Sequence, residues 1–234
     1  MTNHKRPEEK QREEVWRAEI CAVGRSLYER NYVHATAGNI SVRLRTNDGE
    51  EDGLLITPTD ACLGRLDPAR LAHIDRAGRQ VGGDPASKTL ALHRRIYGAD
   101  PSAGSVIHTH SSNLVSLSLS GVWSADDILP PITPYYVMKV GHVPLIEYHR
   151  PGDPLVAERV HQAMQRFARR GAPIRAIMLD RLGPMVWQRT PAEASAVLEE
   201  LEQTAGLWLR AQPRPSPLAE SQIAELRKQF GALW

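Results

Sequence analysis

Apolar residues at intervals of three or four positions predict helices along much of the chain. The spacing is clearest in the segments 8–30, 87–97, 112–121, 153–171 and 190–212. Ser87 can cap the second of these helices, and Gly171 ends the fourth. Thr190 opens the fifth, because a proline and then a glutamate follow it in the first turn. Prolines in 211–221 interrupt the helical pattern before a closing helix in the C-terminal tail, about 217–234.

Short apolar or alternating runs between these helices predict strands. Segments 40–44 and 53–57 form a predicted hairpin, and the turn-rich segment 58–75 ends in a short predicted strand. Further strands are expected in 104–110, 174–179 and 184–187. The proline-rich segment 128–153 favours short strands and loops over helix. Because the strands are bunched early and then interleaved with helices, the pattern predicts a layered α/β domain with a mixed sheet.

Composition narrows the possible partners. The 234 residues can build one core, so a single domain over 1–234 is expected. A net charge of +2 gives no reason to expect nucleic acid or membrane as a partner, which leaves small molecules. Two cysteines, Cys21 and Cys62, are too few for a disulfide framework, and the charged N-terminus lacks a signal-peptide core. A cytoplasmic protein is therefore expected.

The clearest chemical signal is the stretch SVIHTHSSN, which contains His108 and His110. Alternate residues of a strand point to the same face, so these two imidazoles can hold one metal ion. A catalytic zinc usually takes three protein ligands and keeps one position open, so a third ligand has to come from elsewhere in the chain. His93, in the middle of a predicted helix, is expected to be structural.

Several motifs occur in a fixed order: TAGNISVR, ITPTD, His-x-His and PPITPYYVMKVGHVPLIEYHRPGD. Read together, they resemble the class II aldolase/adducin family over essentially the whole chain. TPYYVMKVG, YHRPGD and GRLDPARL are most similar to the 3-oxo-tetronate 4-phosphate decarboxylase branch of that family. The resemblance implies a three-layer α/β fold with a central mixed or antiparallel sheet, and a homotetramer with sites between neighbouring subunits.

The resemblance also implies a mechanism and a set of site residues. A zinc ion held by three histidines would polarise a substrate carbonyl and stabilise the enediolate left when a carbon–carbon bond breaks. In the decarboxylase branch the product is dihydroxyacetone phosphate. A tyrosine, Tyr135 or Tyr136, would donate a proton. The residues implied in phosphate and substrate binding are Gly38, Asn39, Thr59, Ser87 and Lys88.

The sequence departs from the family pattern at two positions. Thr89 stands where the family has a catalytic glutamate, four residues before His93, and Leu182 stands where it has the third zinc histidine. A threonine cannot take a proton at neutral pH, and a leucine cannot bind a metal. Asp180 is a candidate substitute ligand, because two histidines and a carboxylate also bind zinc or iron. His142 and His149 are weaker candidates.

Three hypotheses follow. The first is a metal-dependent carbon–carbon lyase, acting by decarboxylation or retro-aldol cleavage on a small, phosphorylated hydroxy-keto acid. The second is a metal-independent enzyme that uses the same pocket, with a desolvated Lys88, the two histidines and the tyrosine pair as its reactive groups. The third is a non-catalytic binding or scaffold protein. Lyase chemistry is the preferred interpretation, with zinc or another divalent metal in doubt because of Leu182.

Overall fold

The computed structural model describes residues 7–234. Within this range six α-helices are present. They are α1 (Pro7–Glu29), α2 (Leu90–Ala99), α3 (Ser112–Ser120), α4 (Pro154–Arg169), α5 (Pro191–Arg210) and α6 (Glu220–Phe230). None of the helices in this range is long and apolar enough to cross a bilayer.

Eight strands form one sheet in the order β4-β3-β2-β1-β5-β8-β7-β6. They are β1 (Asn39–Arg45), β2 (Glu51–Ile56), β3 (Ala72–Ile74), β4 (Gln80–Gly82), β5 (Ser105–His108), β6 (Leu145–Ile146), β7 (Ala176–Leu179) and β8 (Gly183–Gln188). All neighbours pair antiparallel except β6 and β7, which are parallel. The sheet is therefore mixed, as the sequence predicts.

Helices cover both faces of this sheet. On one face α1, α3 and α5 pack against Ile40, Val42 and Ile107. On the other face α2 and α4 pack against Val106 and Trp187. Because successive strand residues point to opposite faces, Asn39 and Ser41 of β1, and His108 of β5, belong to the face covered by α2 and α4. The expected three-layer α/β architecture is confirmed.

Most predicted elements are present, with three differences. Helix α2 begins two residues later than predicted, with Thr89 and not Ser87 at its N-cap position. Strand β4 had no predicted counterpart, because its three residues are too few to show a pattern. The proline-rich segment contains a π-helical turn, Tyr136–Val140, where strands and loops were expected. The Thr133 hydroxyl accepts the Tyr136 N–H (3.1 Å) at the start of this turn.

A buried carboxylate fixes the start of α3, directly after the histidine pair. Glu202 of α5 is almost inaccessible to solvent. Its two carboxylate oxygens accept the backbone N–H groups of Asn113 (2.8 Å) and Leu114 (3.0 Å). These N–H groups have no acceptor within the helix, so the carboxylate replaces the water that would otherwise bind them. Glu202 thereby attaches α3 to α5.

Removing this cap is expected to destabilise the protein. Glu202→Ala leaves two buried N–H donors unsatisfied, which should lower the free energy of unfolding by about 2–4 kcal/mol. Glu202→Gln keeps one acceptor and should lose less. Urea denaturation measures both values, with Gln203→Ala as the control because Gln203 is the exposed neighbour on the same helix. Equal stability of Glu202→Ala and Gln203→Ala would show that the cap contributes nothing.

Candidate active site

The candidate site lies at one end of the sheet, where β1 begins and β5 ends. Asn39 pairs directly with His108 across these antiparallel strands. Strand β8 begins beside them, since His108 also pairs with Met185. Gly183, at the start of β8, has a φ of +125°, and an added Cβ would lie 2.1 Å from the Thr109 carbonyl oxygen. Only glycine allows this close approach to the histidine loop.

His108 is held in one orientation by the backbone. Its Nδ1 lies 2.9 Å from the carbonyl oxygen of Pro184, which can only accept, so Nδ1 carries the proton and donates. The Nε2 atom is then left with its lone pair. Burial, and secondarily the neighbouring His110, lowers the pKa of His108 to about 4. The imidazole is therefore neutral at pH 7, with a lone pair available for a ligand or a substrate hydroxyl.

His108 is the innermost of three imidazoles. The ring of His110 is half-buried, with its centroid 5.0 Å from that of His108. The ring of His34, which is exposed, lies 6.5 Å from that of His110. Burial, followed by the charge of His34, lowers the pKa of His110. Sequence reasoning missed His34, although it stands two residues before the TAGN motif.

The backbone also brings the predicted phosphate-binding segments to this end of the sheet. Gly38 has a φ of +83°, and an added Cβ would lie 2.8 Å from the His108 carbonyl oxygen. The Thr57 hydroxyl accepts the Ile40 N–H (3.1 Å), and the Thr57 carbonyl accepts the Ser87 N–H (3.3 Å). Residues 38–40, 57–59 and 86–89 are thus joined by backbone contacts beside the histidines.

The predicted polar residues differ in their surroundings. Ser87 is buried, and its hydroxyl lies 2.9 Å from that of Thr89. Thr59 lines a surface groove of about 270 Å³ together with Arg65. The side chain of Lys88 is 77% exposed, with its Nζ 4.0 Å from an Asp60 carboxylate oxygen. In the single chain, solvent therefore surrounds the ammonium group of Lys88.

The two tyrosines lie in different environments. Tyr136 is 0% exposed, and burial raises the pKa of its hydroxyl well above the usual value. A phenol enclosed in this way cannot meet a substrate, so the prediction of Tyr136 as proton donor is wrong. Tyr135 is 59% exposed and lines a surface groove with Gln188 and Arg189. Gln188 pairs with Ser105, so this groove lies at the opposite end of β5 from His108.

Comparison with known proteins agrees with this arrangement. The model of the class II aldolase and adducin N-terminal domain matches residues 18–209. The chain belongs to the class II aldolase and adducin family. A 3-oxo-tetronate 4-phosphate decarboxylase of Cupriavidus necator is 52% identical over 93% of this chain and 97% of the relative. The protein of the same name from Escherichia coli K12 is 37% identical, over 92% and 96%. The family assignment and the similarity to aldolase-type lyases are thus confirmed.

Solved structures agree as well. The crystal structure of YgbL from Escherichia coli superposes with a TM-score of 0.81. It is 35% identical, and the match covers 92% of this chain and 99% of that one. The agreement confirms the class II aldolase fold that the sequence motifs imply.

Class II aldolases usually bind a divalent metal, and the residues at this site fit one only in part. His108 offers a lone pair and has its other nitrogen fixed by a carbonyl, which is the usual arrangement for a metal-binding histidine. His110 lies at a suitable distance from it. Leu182, which packs against the apolar cluster on the face covered by α2 and α4, supplies no third ligand. Among residues 7–234, no three His, Cys, Asp or Glu side chains form a group that could hold a metal.

The other candidate ligands do not complete the set. Asp180 lies 3.7 Å from the Arg181 guanidinium, and its backbone N–H donates to the Ile146 carbonyl. His142 directs its Nδ1 to Asp127 (2.8 Å), and its ring stacks on Trp234. The donor set in the described range therefore does not match a three-ligand zinc site, and the prediction of Asp180 as the substitute ligand is wrong.

Placing a histidine at position 182, where the family resemblance implies the third zinc ligand, is expected to create a tight zinc site. Leu182→His should raise the affinity for zinc by more than about tenfold over the unchanged chain, because a complete ligand set binds more strongly. Calorimetric titration of tag-free, chelator-treated protein measures this, with Leu182→Gln as the size-matched control. Addition of His108→Ala to Leu182→His should abolish the gain. Equal zinc affinity in the Gln and His variants would show that position 182 does not face the histidine pair.

Proposed function

We propose that this protein decarboxylates a 3-oxo-tetronate 4-phosphate to dihydroxyacetone phosphate and carbon dioxide. The observation that carries the proposal is the 52% identity, over nearly the whole of both chains, to a relative named for that activity. The structure supports it with neutral imidazoles beside Asn39 and a buried serine at one end of the sheet. The substrate places its keto group at C3, two carbons from the carboxylate.

The chemistry of such a β-keto acid explains how the reaction can proceed with Thr89 in place of a carboxylate base. When the C1–C2 bond breaks, its electron pair forms a C2–C3 double bond, and negative charge moves onto the C3 oxygen. Carbon dioxide leaves, and C2 then takes up one proton. No proton has to be removed from the substrate in this sequence. Retro-aldol cleavage, in contrast, begins with removal of a hydroxyl proton, which Thr89 cannot accomplish.

The residues of the site supply what the decarboxylation needs. Asn39, Thr59 and Ser87, with the backbone at Gly38, hold the phosphate. The His108 lone pair accepts a hydrogen bond from the substrate hydroxyl. His110 donates to the C3 oxygen, and a donor placed where charge develops is worth about 3 kcal/mol of barrier. These roles make no use of a metal ion.

The assay distinguishes decarboxylation from aldol cleavage. The purified protein should release dihydroxyacetone phosphate from a 3-oxo-tetronate 4-phosphate, detected with a coupled dehydrogenase. It should not cleave L-fuculose 1-phosphate, because Thr89 stands where the family resemblance implies the carboxylate base. Asn39→Ala should lower kcat/KM by about a hundredfold, from the loss of a hydrogen bond to a charged group. The exposed Gln203→Ala is the control.

Two outcomes would contradict the proposal. Cleavage of the aldol substrate without decarboxylation would identify an aldolase. Turnover of neither substrate, with inorganic phosphate still bound, would favour a binding protein.

A second copy of the chain would complete this site with Tyr135. Within one chain, Tyr135 lies at the far end of β5, about 10 Å or more along the strand from His108. Its high exposure leaves the phenol free to enter a neighbouring subunit's site, where it would donate the proton to C2. This role requires an oligomer with sites between subunits, such as the tetramer that the family resemblance implies.

Mixing inactive variants tests this arrangement. Tyr135→Phe and Asn39→Ala should each have low activity alone. When subunits are mixed and reassembled, some sites contain neither substitution, so part of the activity should return. Tyr148→Phe, a substitution at another exposed tyrosine, is the control and should remain active. Absence of recovery in demonstrated hybrid oligomers would place Tyr135 and Asn39 in the same subunit's site, or Tyr135 outside it.

A further inference from the structure

A chain of buried polar side chains runs from α2 to the candidate site. His93 of α2 is 0% exposed, and both of its ring nitrogens have partners. Its Nε2 lies 2.6 Å from Asn39 Oδ1, and its Nδ1 lies 2.7 Å from Ser41 Oγ. The Ser41 hydroxyl in turn lies 2.7 Å from that of Tyr97. Four side chains from a helix and a strand therefore form one continuous hydrogen-bonded chain.

The direction of each hydrogen bond follows from the first one. Asn39 Oδ1 can only accept, so His93 Nε2 carries the proton and donates to it. Burial lowers the pKa of His93 to about 3, so the ring is neutral and has one N–H group. Its Nδ1 must then accept, and the Ser41 hydroxyl donates to it. The Tyr97 hydroxyl donates to the Ser41 oxygen. Each of the three hydrogen bonds therefore has one donor and one acceptor.

This arrangement determines what Asn39 presents to a ligand. Its oxygen is occupied by His93, so the amide cannot turn without breaking a buried hydrogen bond. The Nδ2 group, with two N–H donors, lies outside the chain of hydrogen bonds. Asn39 pairs with His108 across the strands, so these donors belong to the end of the sheet where the histidines lie. Donors of this kind suit the oxygens of a phosphate or a carboxylate.

We propose that His93 is a positioning residue, which holds the Asn39 amide with its N–H donors toward the anionic substrate. The proposal rests on the proposed function, in which Asn39 binds the phosphate. His93 does not touch the substrate, and it acts only through Asn39. His93 lies four residues after Thr89, the N-cap residue of α2, so both belong to the same side of this helix. The helix that begins beside the site therefore also orients Asn39 on β1.

A purely structural His93 would predict a different result on substitution. A buried histidine that only fills space could be replaced by any residue that restores stability, with no effect on ligand affinity. Tyr97 provides the comparison, because its hydroxyl belongs to the same buried chain but does not contact Asn39. Tyr97→Phe leaves the Ser41 hydroxyl free to donate to His93, so the orientation of the imidazole should persist.

The test measures the dissociation constant of inorganic phosphate by calorimetry, which does not depend on turnover. His93→Leu removes the donor and should weaken phosphate binding by about tenfold. His93→Gln places an amide N–H near the position of Nε2, so its affinity should stay within about threefold of the unchanged chain. Tyr97→Phe should leave the affinity unchanged while lowering the melting temperature. Circular dichroism confirms that each variant is folded.

The outcomes separate this inference from the proposed function. Weak binding by Asn39→Ala and His93→Leu, with rescue by His93→Gln, supports the positioning role whether or not the protein decarboxylates the substrate. Unchanged binding in His93→Leu, with a loss in Asn39→Ala, overturns it. Unchanged binding in Asn39→Ala overturns it too, because Asn39 then holds no anion. Failure of the decarboxylation assay in the unchanged chain concerns the proposed function alone.

Spectroscopy provides a readout that does not require a variant. Long-range proton–nitrogen NMR on histidine-labelled protein reports which ring nitrogen carries the proton. His93 should be the neutral Nε2–H tautomer, and His108 the Nδ1–H tautomer. A proton on Nδ1 of His93 would overturn the proposal, because the imidazole would then present a lone pair to the Asn39 oxygen.

Discussion

The antiparallel pairing of Asn39 with His108 is the constraint on which the site depends. It places the first residue of β1 and the last residue of β5 side by side, on the face covered by α2. A separate contact then fixes each side chain: the backbone carbonyl of Pro184 orients His108, and the side chain of His93 orients Asn39. A shift of one strand by one residue in this pairing would move its side chain to the opposite face and separate Asn39 from His108. The register of two strands thus sets the chemistry of the pocket.

The two departures from the family pattern have a common chemical consequence. By the family resemblance, Thr89 stands in place of a base and Leu182 in place of a metal ligand. A β-keto acid loses carbon dioxide with fewer demands on the protein than an aldol needs for cleavage, because its carboxylate is already ionised. In the proposed function, replacement of both groups therefore restricts aldol cleavage more than it restricts decarboxylation. The histidine pair and Asn39 still lie side by side at one end of the family's fold.

The sequence predicted the architecture well because the long helices have strong periodicity and clear terminal signals. Thr190 caps α5 through its hydroxyl, as the Thr-Pro pattern indicates. Side-chain environment was harder to predict. Tyr135 and Tyr136 are adjacent in sequence, yet one is exposed and the other enclosed, and no local pattern distinguishes them. The link between His93 and Asn39 spans 54 residues, so it becomes visible only when α2 packs on β1. Contacts of this kind depend on tertiary structure.

Glu202 has a consequence for the order in which the molecule forms. The start of α3, directly after the histidine pair, is bound by Glu202 of α5. This residue lies 89 positions after Asn113 and 88 positions after Leu114. Strand β8, which orients His108, also comes from this later part. During synthesis on the ribosome, the contacts that hold His108 and the start of α3 therefore cannot form until residues 184–202 have been made. The histidine end of the sheet is complete only when β8 and α5 have joined it.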